Sequence, residues 1–433
     1  MGPKLSVAVI GGGWAGLAAA VELAAAGHKV SLFEAGKQLG GRARRIESNG
    51  HALDNGQHIL IGAYRETLRL MRTVGASPDR LLKRLPLELN YPGAGFRLRL
   101  PRLPTPFNLA LGLMAAKGCT LNDKIWAIRF LRYLQARDYQ LLADSTVTGL
   151  LDAHRQRGSL RRYLWEPLCV AALNTTPQDA SAQIFANVLR DSLGGSRADT
   201  DLLLPATDLD QLFPCLASEF ILAHGGSIQC STRIERIDPQ LTIRGNTYDR
   251  IILAVAPQHA MRLLASHEET AAIAKMLDSY TYEPIGTAYA GYPPDVRLPC
   301  PMLGLDGGMN GKLGQWVFDR GILVGTPGVL SFVLSAHGLW DERADPALVA
   351  SLHGELEEAL GKTLPQPLWH RVIRERRATF SCRPDLPRPA AQTPLGGLWL
   401  AGDYTCADYP ATLESAVRSG IAAARGACGG LMS

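Results

Sequence analysis

"LSVAVIGGGWAGLAAAVELAAAGHKVSLFEA", Leu5 to Ala35, decides the fold. Leu5–Ile10 is a short Val- and Ile-rich run ended by glycines, the pattern of a strand buried on both faces of a parallel sheet. Trp14 to Ala26 keeps helix-forming residues and stops at Gly27, a natural helix C-terminus. "KVSLFEA" then predicts a second strand with Glu34 at its end. The unit is β-α-β, and Gly11-x-Gly13-x-x-Gly16 sits at its first turn. Glycines at those positions permit the tight turn, let a pyrophosphate approach the backbone, and let helix pack on strand. Free N–H groups and the helix dipole favour the phosphate charge. Glu34, 18 residues beyond Gly16, stands where an acid accepts from ribose hydroxyls. The residues expected to touch a dinucleotide are Gly11, Gly13, Trp14, Ala15, Gly16, Glu34 and Ala35. Glu34 does not separate NAD from FAD, because both carry an adenosine ribose.

Around this unit, 433 residues leave room for two domains, and 46% hydrophobic residues with a mean hydropathy near zero describe a chain with a sizeable core. A net charge of +5 with no focused basic motif gives no footprint for nucleic acid. Eight cysteines without a CxxC pair point to neither zinc nor a disulfide framework, so no metal site is expected and a reducing cytoplasm is the default. No apolar run is long enough for a membrane span. "MGPKLS" matches the loose myristoylation pattern, a reading set aside because Gly2 leads into a strand and Pro3 stiffens the site. There is no HExxH, GxSxG or P-loop. Nor is there a second GxGxxG between strand and helix, so reducing equivalents are expected from an external electron donor.

"LGGRARR" places Gly40, Gly41 and Arg42 just after Glu34, and it resembles the GG-R signature of the flavin amine oxidase and phytoene desaturase superfamily. Near the other end, "GLWLAGDYT" reads as a strand ending in Gly402-Asp403, followed by the helical "YPATLESAVRSGIAAARGA". This resembles the closing FAD motif of the same superfamily. The resemblance implies that Gly41 and Arg42 wrap the pyrophosphate and that Asp403 meets the ribitol or phosphate region. It also implies that the helix N-terminus at Ala411, Thr412 and Leu413 faces the flavin pyrimidine, where a helix dipole stabilises a reduced flavin. "CSTRIERIDPQLTIRGNTYDRIILAVAPQHA" resembles the third FAD segment, with backbone near Ile234 holding the adenine.

The implied fold is α/β: a discontinuous, glutathione-reductase-like Rossmann FAD-binding domain with an inserted, amine-oxidase-like α+β substrate domain. The expected division is 1–90, 205–260 and 378–433 for FAD, and 91–204 and 261–377 for substrate. Within the first insertion, Ile125, Ile128, Leu131 and Leu134 recur at helical spacing. They read as core, as the wall of a long apolar ligand site, or as a membrane-facing surface. "RVIRERR", Arg371–Arg377, reads as a solvated face or as a contact for anionic lipid.

Five strings, "DNGQHILIGAYRETLRLM", "LWEPLCVAALNT", "QIFANVLRDSL", "QWVFDRG" and "LAGDYTCADYPATLESAVRSG", narrow the resemblance. Together, in order and over nearly the whole chain, they are similar to the hydroxysqualene dehydroxylases, the squalene-associated FAD enzymes of bacterial hopanoid synthesis. That family implies a C30 isoprenoid substrate, an allylic alcohol that loses its hydroxyl and gains hydride from reduced FAD. An acid should protonate the departing hydroxyl. His58 in "DNGQH" is the first candidate, and Tyr404, Asp408 and Tyr409 are the others; Gly56, Gln57 and His58 are expected beside the flavin. FAD is expected to be non-covalent, although Cys382 and Cys406 lie where some amine oxidases attach it. The implied location is the cytoplasm, with room for peripheral contact at the inner face of the membrane. Sequence leaves the oligomeric state open. The runner-up readings are an oxidising desaturase or amine oxidase, for which Lys312 is the candidate flavin-side lysine although its glycine-rich context reads as a loop, and a flavin-free prenyl-lipid escort protein on the same fold.

Overall fold

The computed structural model describes residues 4–48, 50–307 and 311–429; Gly2 and Pro3, on which the myristoylation reading turns, lie outside them. Its first sheet has five parallel strands in the order Ser227–Gln229, Lys29–Phe33, Ser6–Ile10, Arg250–Leu253, Leu398–Leu400. Alternation sorts the central strand between two apolar clusters: Val7 and Val9 go to one, Ala8 and Ile10 to the other. On the first face, Leu17 and Val21 of helix Trp14–Ala25 and Val417 and Ile421 of helix Leu413–Ala427 complete the packing. These two helices touch closely, since a Cβ on Gly420 would lie 2.1 Å from the Ala15 carbonyl oxygen. The beginning and end of the chain therefore meet on one face of one sheet.

The second sheet is antiparallel, in the order Met302–Gly304, Trp316–Asp319, Val329–Ser335, Tyr282–Gly291, Trp369–Phe380. Leu348, Leu352 and Leu356 of helix Asp345–Leu360 cover one face of it. The segment between residues 107 and 193 is helical, including Phe107–Ala115, Leu121–Ala136, Glu166–Leu173 and Ala182–Leu193.

All five parallel strands fall in 1–90, 205–260 and 378–433, but the borders within this division cut regular elements. The 90/91 border splits the hairpin strand Glu88–Tyr91, which pairs with Phe96–Arg99. Those at 204/205, 260/261 and 377/378 cut strand Leu202–Pro205, helix Pro257–Leu264 and strand Trp369–Phe380. The chain passes from one sheet system to the other along hydrogen-bonded elements, with no linker of distinctive composition to mark the change.

A buried ion pair ties strand His51–Asp54 to the second sheet system. Asp54 ends strand His51–Asp54, and its carboxylate meets the Arg320 guanidinium at 3.2 Å, with both side chains about 5% exposed or less. The Leu209 N–H donates to the same carboxylate at 2.9 Å, and the Tyr289 hydroxyl donates to the Asp54 carbonyl at 2.9 Å. Burial pushes the Asp54 carboxyl above its usual range even though Arg320 pulls it down. Desolvation thus outweighs attraction. Arg320→Met, which strands a buried carboxylate, is expected to cost roughly 3–5 kcal/mol, while Asp54→Asn with Arg320→Met recovers most of that loss. Chemical denaturation of the double-mutant cycle checks this; an Arg320→Met protein as stable as the parent would overturn it.

Candidate active site

Between the two sheets lies a cavity of about 860 Å³, near the top of the ~300–1,000 Å³ range of ligand pockets. Its nucleotide end is built from the first β-α turn. Gly13 begins helix Trp14–Ala25, which has no acidic residue in its first turn and leaves its first N–H groups without intrahelical partners. The Gly40 N–H donates to the Gly12 carbonyl at 2.8 Å, and Gly13 bridges Gly40 in parallel, so the two glycine segments run side by side. A Cβ on Gly41 would lie 3.0 Å from the Cα of Gly13. The Glu34 carboxylate accepts from the N–H groups of Gly12 at 2.7 Å and Gly36 at 2.6 Å, which fixes it beside this turn.

The Arg42 guanidinium donates to Asp403 Oδ2 at 2.6 Å and to the Ala378 carbonyl. The GG-R and Gly-Asp segments, 361 residues apart in sequence, are thereby joined by one ion pair. At the C-terminal helix, the Thr412 hydroxyl accepts from the Ser415 N–H at 3.2 Å and the Ser415 hydroxyl accepts from the Thr412 N–H at 2.9 Å. This capping box fixes the N-terminus of Leu413–Ala427 against the cavity.

The residues expected to touch a dinucleotide converge. Gly11, Gly13, Trp14, Ala15, Glu34, Ala35, Gly41, Arg42, Gly56, Gln57, His58, Ile234, Gly402, Asp403, Ala411, Thr412 and Leu413 all line the cavity, as do Tyr404 and Tyr409. Two candidates do not. A Cβ on Gly16 would meet the Gly11 carbonyl oxygen at 1.9 Å, so Gly16 serves helix packing behind the turn. Asp408 has an exposed side chain off the cavity, with its carbonyl accepting from Asn187 at 3.1 Å, and so cannot protonate a ligand there.

His58 lies in the cavity wall. Burial lowers its pKa, with only part of the shift offset by the Gly56 carbonyl and Asp54. At neutral pH it is a neutral imidazole whose Nδ1 lies 3.0 Å from the Gly56 carbonyl. That contact assigns the proton to Nδ1 and leaves Nε2 an acceptor. The hydroxyls of Tyr404 and Tyr409, by contrast, are buried without a hydrogen-bond partner. Burial, then the neighbouring Asp403 charge, raises the Tyr404 pKa further above that of an ordinary phenol, which keeps its proton in place.

Cys382 and Cys406 do not line the cavity, and burial pushes both thiols up to about 11. Lys312 is likewise off it, paired with Glu358 at 2.6 Å. Sequence reasoning missed the apolar wall made by Leu87, Leu89, Leu168, Met302, Trp316 and Phe318. The signal was present in "QWVFDRG": Trp316 and Phe318 point to the cavity while Val317, between them, joins the opposite core.

A family model, Flavin containing amine oxidoreductase, matches residues 14–428. The chain belongs to this family. As a flavin containing amine oxidoreductase it is an FAD-dependent enzyme. The glycine cradle and the Arg42–Asp403 pair suit that cofactor. The chain is 29% identical over 441 residues to hydroxysqualene dehydroxylase of Rhodopseudomonas palustris, covering 97% of both proteins. It is 26% identical to a 15-cis-phytoene desaturase of Narcissus pseudonarcissus, over 96% of this chain and 78% of that one. Putrescine oxidase, in a structure with putrescine bound, superposes with a TM-score of 0.70 at 16% identity over 99% of both chains, a likeness of fold.

Proposed function

We infer that this oxidoreductase removes the hydroxyl of hydroxysqualene reductively to give squalene, in squalene and hopanoid biosynthesis. The observation that carries the reading is the end-to-end match with the Rhodopseudomonas protein of that name, covering 97% of both chains. The apolar wall from Leu87 to Phe318 supports it, since a C30 hydrocarbon offers little else to recognise.

FAD, when bound in its reduced form, would supply the hydride that replaces the hydroxyl. The chain's own residues do the rest. Gly11, Gly13, Gly41 and the N-terminus of helix Trp14–Ala25 hold the pyrophosphate, and Glu34 the ribose. The N-terminus of helix Leu413–Ala427 favours negative charge at the flavin end. A phenol at Tyr404 or Tyr409 gives its proton to the leaving oxygen, so that water departs. The apolar wall keeps bulk water from a carbon that would otherwise be recaptured by it. The reducing equivalents would come from a separate electron donor. The protein works at the inner face of the membrane, because its substrate and product partition into lipid.

Product analysis tests the reading. Dithionite-reduced protein given hydroxysqualene without oxygen is expected to yield squalene and oxidised flavin in equal amounts. Absence of squalene, together with new double bonds formed by the oxidised protein on an isoprenoid hydrocarbon, would assign a desaturase instead.

A further inference from the structure

Helix Phe107–Ala115, "FNLALGLMA", has no charged residue, yet it buries only Asn108, Gly112 and Leu113. A helix apolar all round belongs in a core or in lipid. Ten large hydrophobic side chains are exposed among the described residues. Six of them, Leu103, Phe107, Leu111, Met114, Leu121 and Ile125, fall between residues 103 and 125. Phe107, Leu111 and Met114 share one face at i, i+4 and i+7, and Leu121 and Ile125 share one face of the next helix, Leu121–Ala136. The Lys124 ammonium donates to the Met114 carbonyl at 2.7 Å and so brings the two faces together.

The charge around this patch is predominantly positive. Residues 102–137 carry Arg102, Lys117, Lys124, Arg129, Arg132 and Arg137 against Asp123 alone, an excess equal to the whole chain's +5. Asp123 is engaged in the capping box of its helix, accepting from the Thr120 N–H at 3.0 Å. Trp126 lies under the guanidinium groups of Arg129 and Arg155, 4.9 and 4.8 Å from its ring centre, the aromatic and basic pairing common at lipid headgroups. Among the described residues no helix is long and apolar enough to cross a bilayer. The combination is that of a surface lying in the interface.

We propose that the face formed by Leu103, Phe107, Leu111, Met114, Leu121 and Ile125, with its basic rim, docks on the surface of an anionic phospholipid bilayer. This deepens the peripheral placement above but does not depend on which reaction the site performs.

Vesicle flotation of the full-length, flavin-loaded protein tests it. The parent is expected to float with equimolar phosphatidylcholine and phosphatidylglycerol, less with phosphatidylcholine alone, and to be partly released by salt. Phe107→Ser with Leu111→Ser should lower partitioning at least about tenfold while flavin content and melting temperature stay at parental values. Arg102→Gln with Arg132→Gln should weaken binding only to the anionic vesicles. Leu142→Ser, at an exposed leucine outside the patch, should float like the parent. A parent that does not float, or a Phe107/Leu111 variant that floats equally, overturns the proposal. So does a non-floating parent that is a dimer dissociated by the same pair of substitutions, which would make the patch a protein interface.

Discussion

Gly11→Ala is expected to give a protein that purifies colourless, whereas Gly27→Ala keeps its flavin. Both glycines have positive φ, +109° and +82°. Gly27 has no atom within 4 Å of a would-be Cβ, so alanine there bears only the left-handed backbone, about 1–2 kcal/mol of stability. At Gly11 the same methyl would lie 2.3 Å from the Ala254 carbonyl oxygen and 2.8 Å from its carbon. Those are backbone atoms of the adjoining strand's exit, and no rotamer change relieves them. The Gly11 N–H bond to Phe33 and the Ala254 N–H bond to Ile10, both 2.7 Å, hold the two segments where they collide. The turn must therefore move, and it moves where the pyrophosphate has to lie. Gly13→Ala separates the cofactor from the fold. Gly13 has φ −75°, and its Cβ would come no closer than 3.8 Å to Gly41 Cα. That variant should fold normally but retain less FAD, because the methyl enters the cradle. The ratio of visible flavin absorbance to protein absorbance, read beside the melting temperature, reports both effects. A yellow Gly11→Ala protein with full flavin content and parental melting would refute the assignment.

The features legible in the sequence are those that make demands on the backbone. Gly11, Gly41 and Gly402 adopt positive φ, which local geometry demands, and Gly13 is legible through its fixed spacing from Gly11. Side-chain partners are another matter. Asp54, Asn55, Gln57 and His58 form a conspicuously polar string, and such a string reads as chemistry. In the structure most of it holds the loop in place. Asp54 pairs with Arg320, Asn55 donates to the Arg42 carbonyl at 3.1 Å, and Gln57 accepts from Ser331 at 3.3 Å. Two of those partners come from residues far along the chain, which no local pattern can announce. Asp408 and Tyr409 show the same limit at shorter range. They are neighbours in an irregular segment with no period to assign an inside, and one is exposed while the other is buried.

Tyr404→Phe and Tyr409→Phe carry the largest expected effect on chemistry. Whichever hydroxyl donates to the leaving oxygen, its phenylalanine variant should reoxidise reduced flavin with hydroxysqualene about 10²–10⁴-fold more slowly, a loss of roughly 3–5 kcal/mol in the barrier. The other variant should stay within a few-fold. Removing an oxygen that has no protein partner breaks no hydrogen bond, so both variants should fold and hold FAD. The pH profile separates a phenol from His58. An imidazolium acid is lost as pH rises through its pKa, and burial puts that of His58 below the ordinary value of about 6.5. Dependence on His58 would therefore show as a tenfold fall per pH unit already below neutrality. A phenol keeps its proton up to about pH 10, and Tyr404, with its raised pKa, further still. Single-turnover rates should accordingly be flat from about pH 6 to 9, and His58→Ala should change them only a few-fold. A steep decline across that range, abolished in His58→Ala, would return the role to histidine, and two phenylalanine variants at parental rates would exclude both phenols.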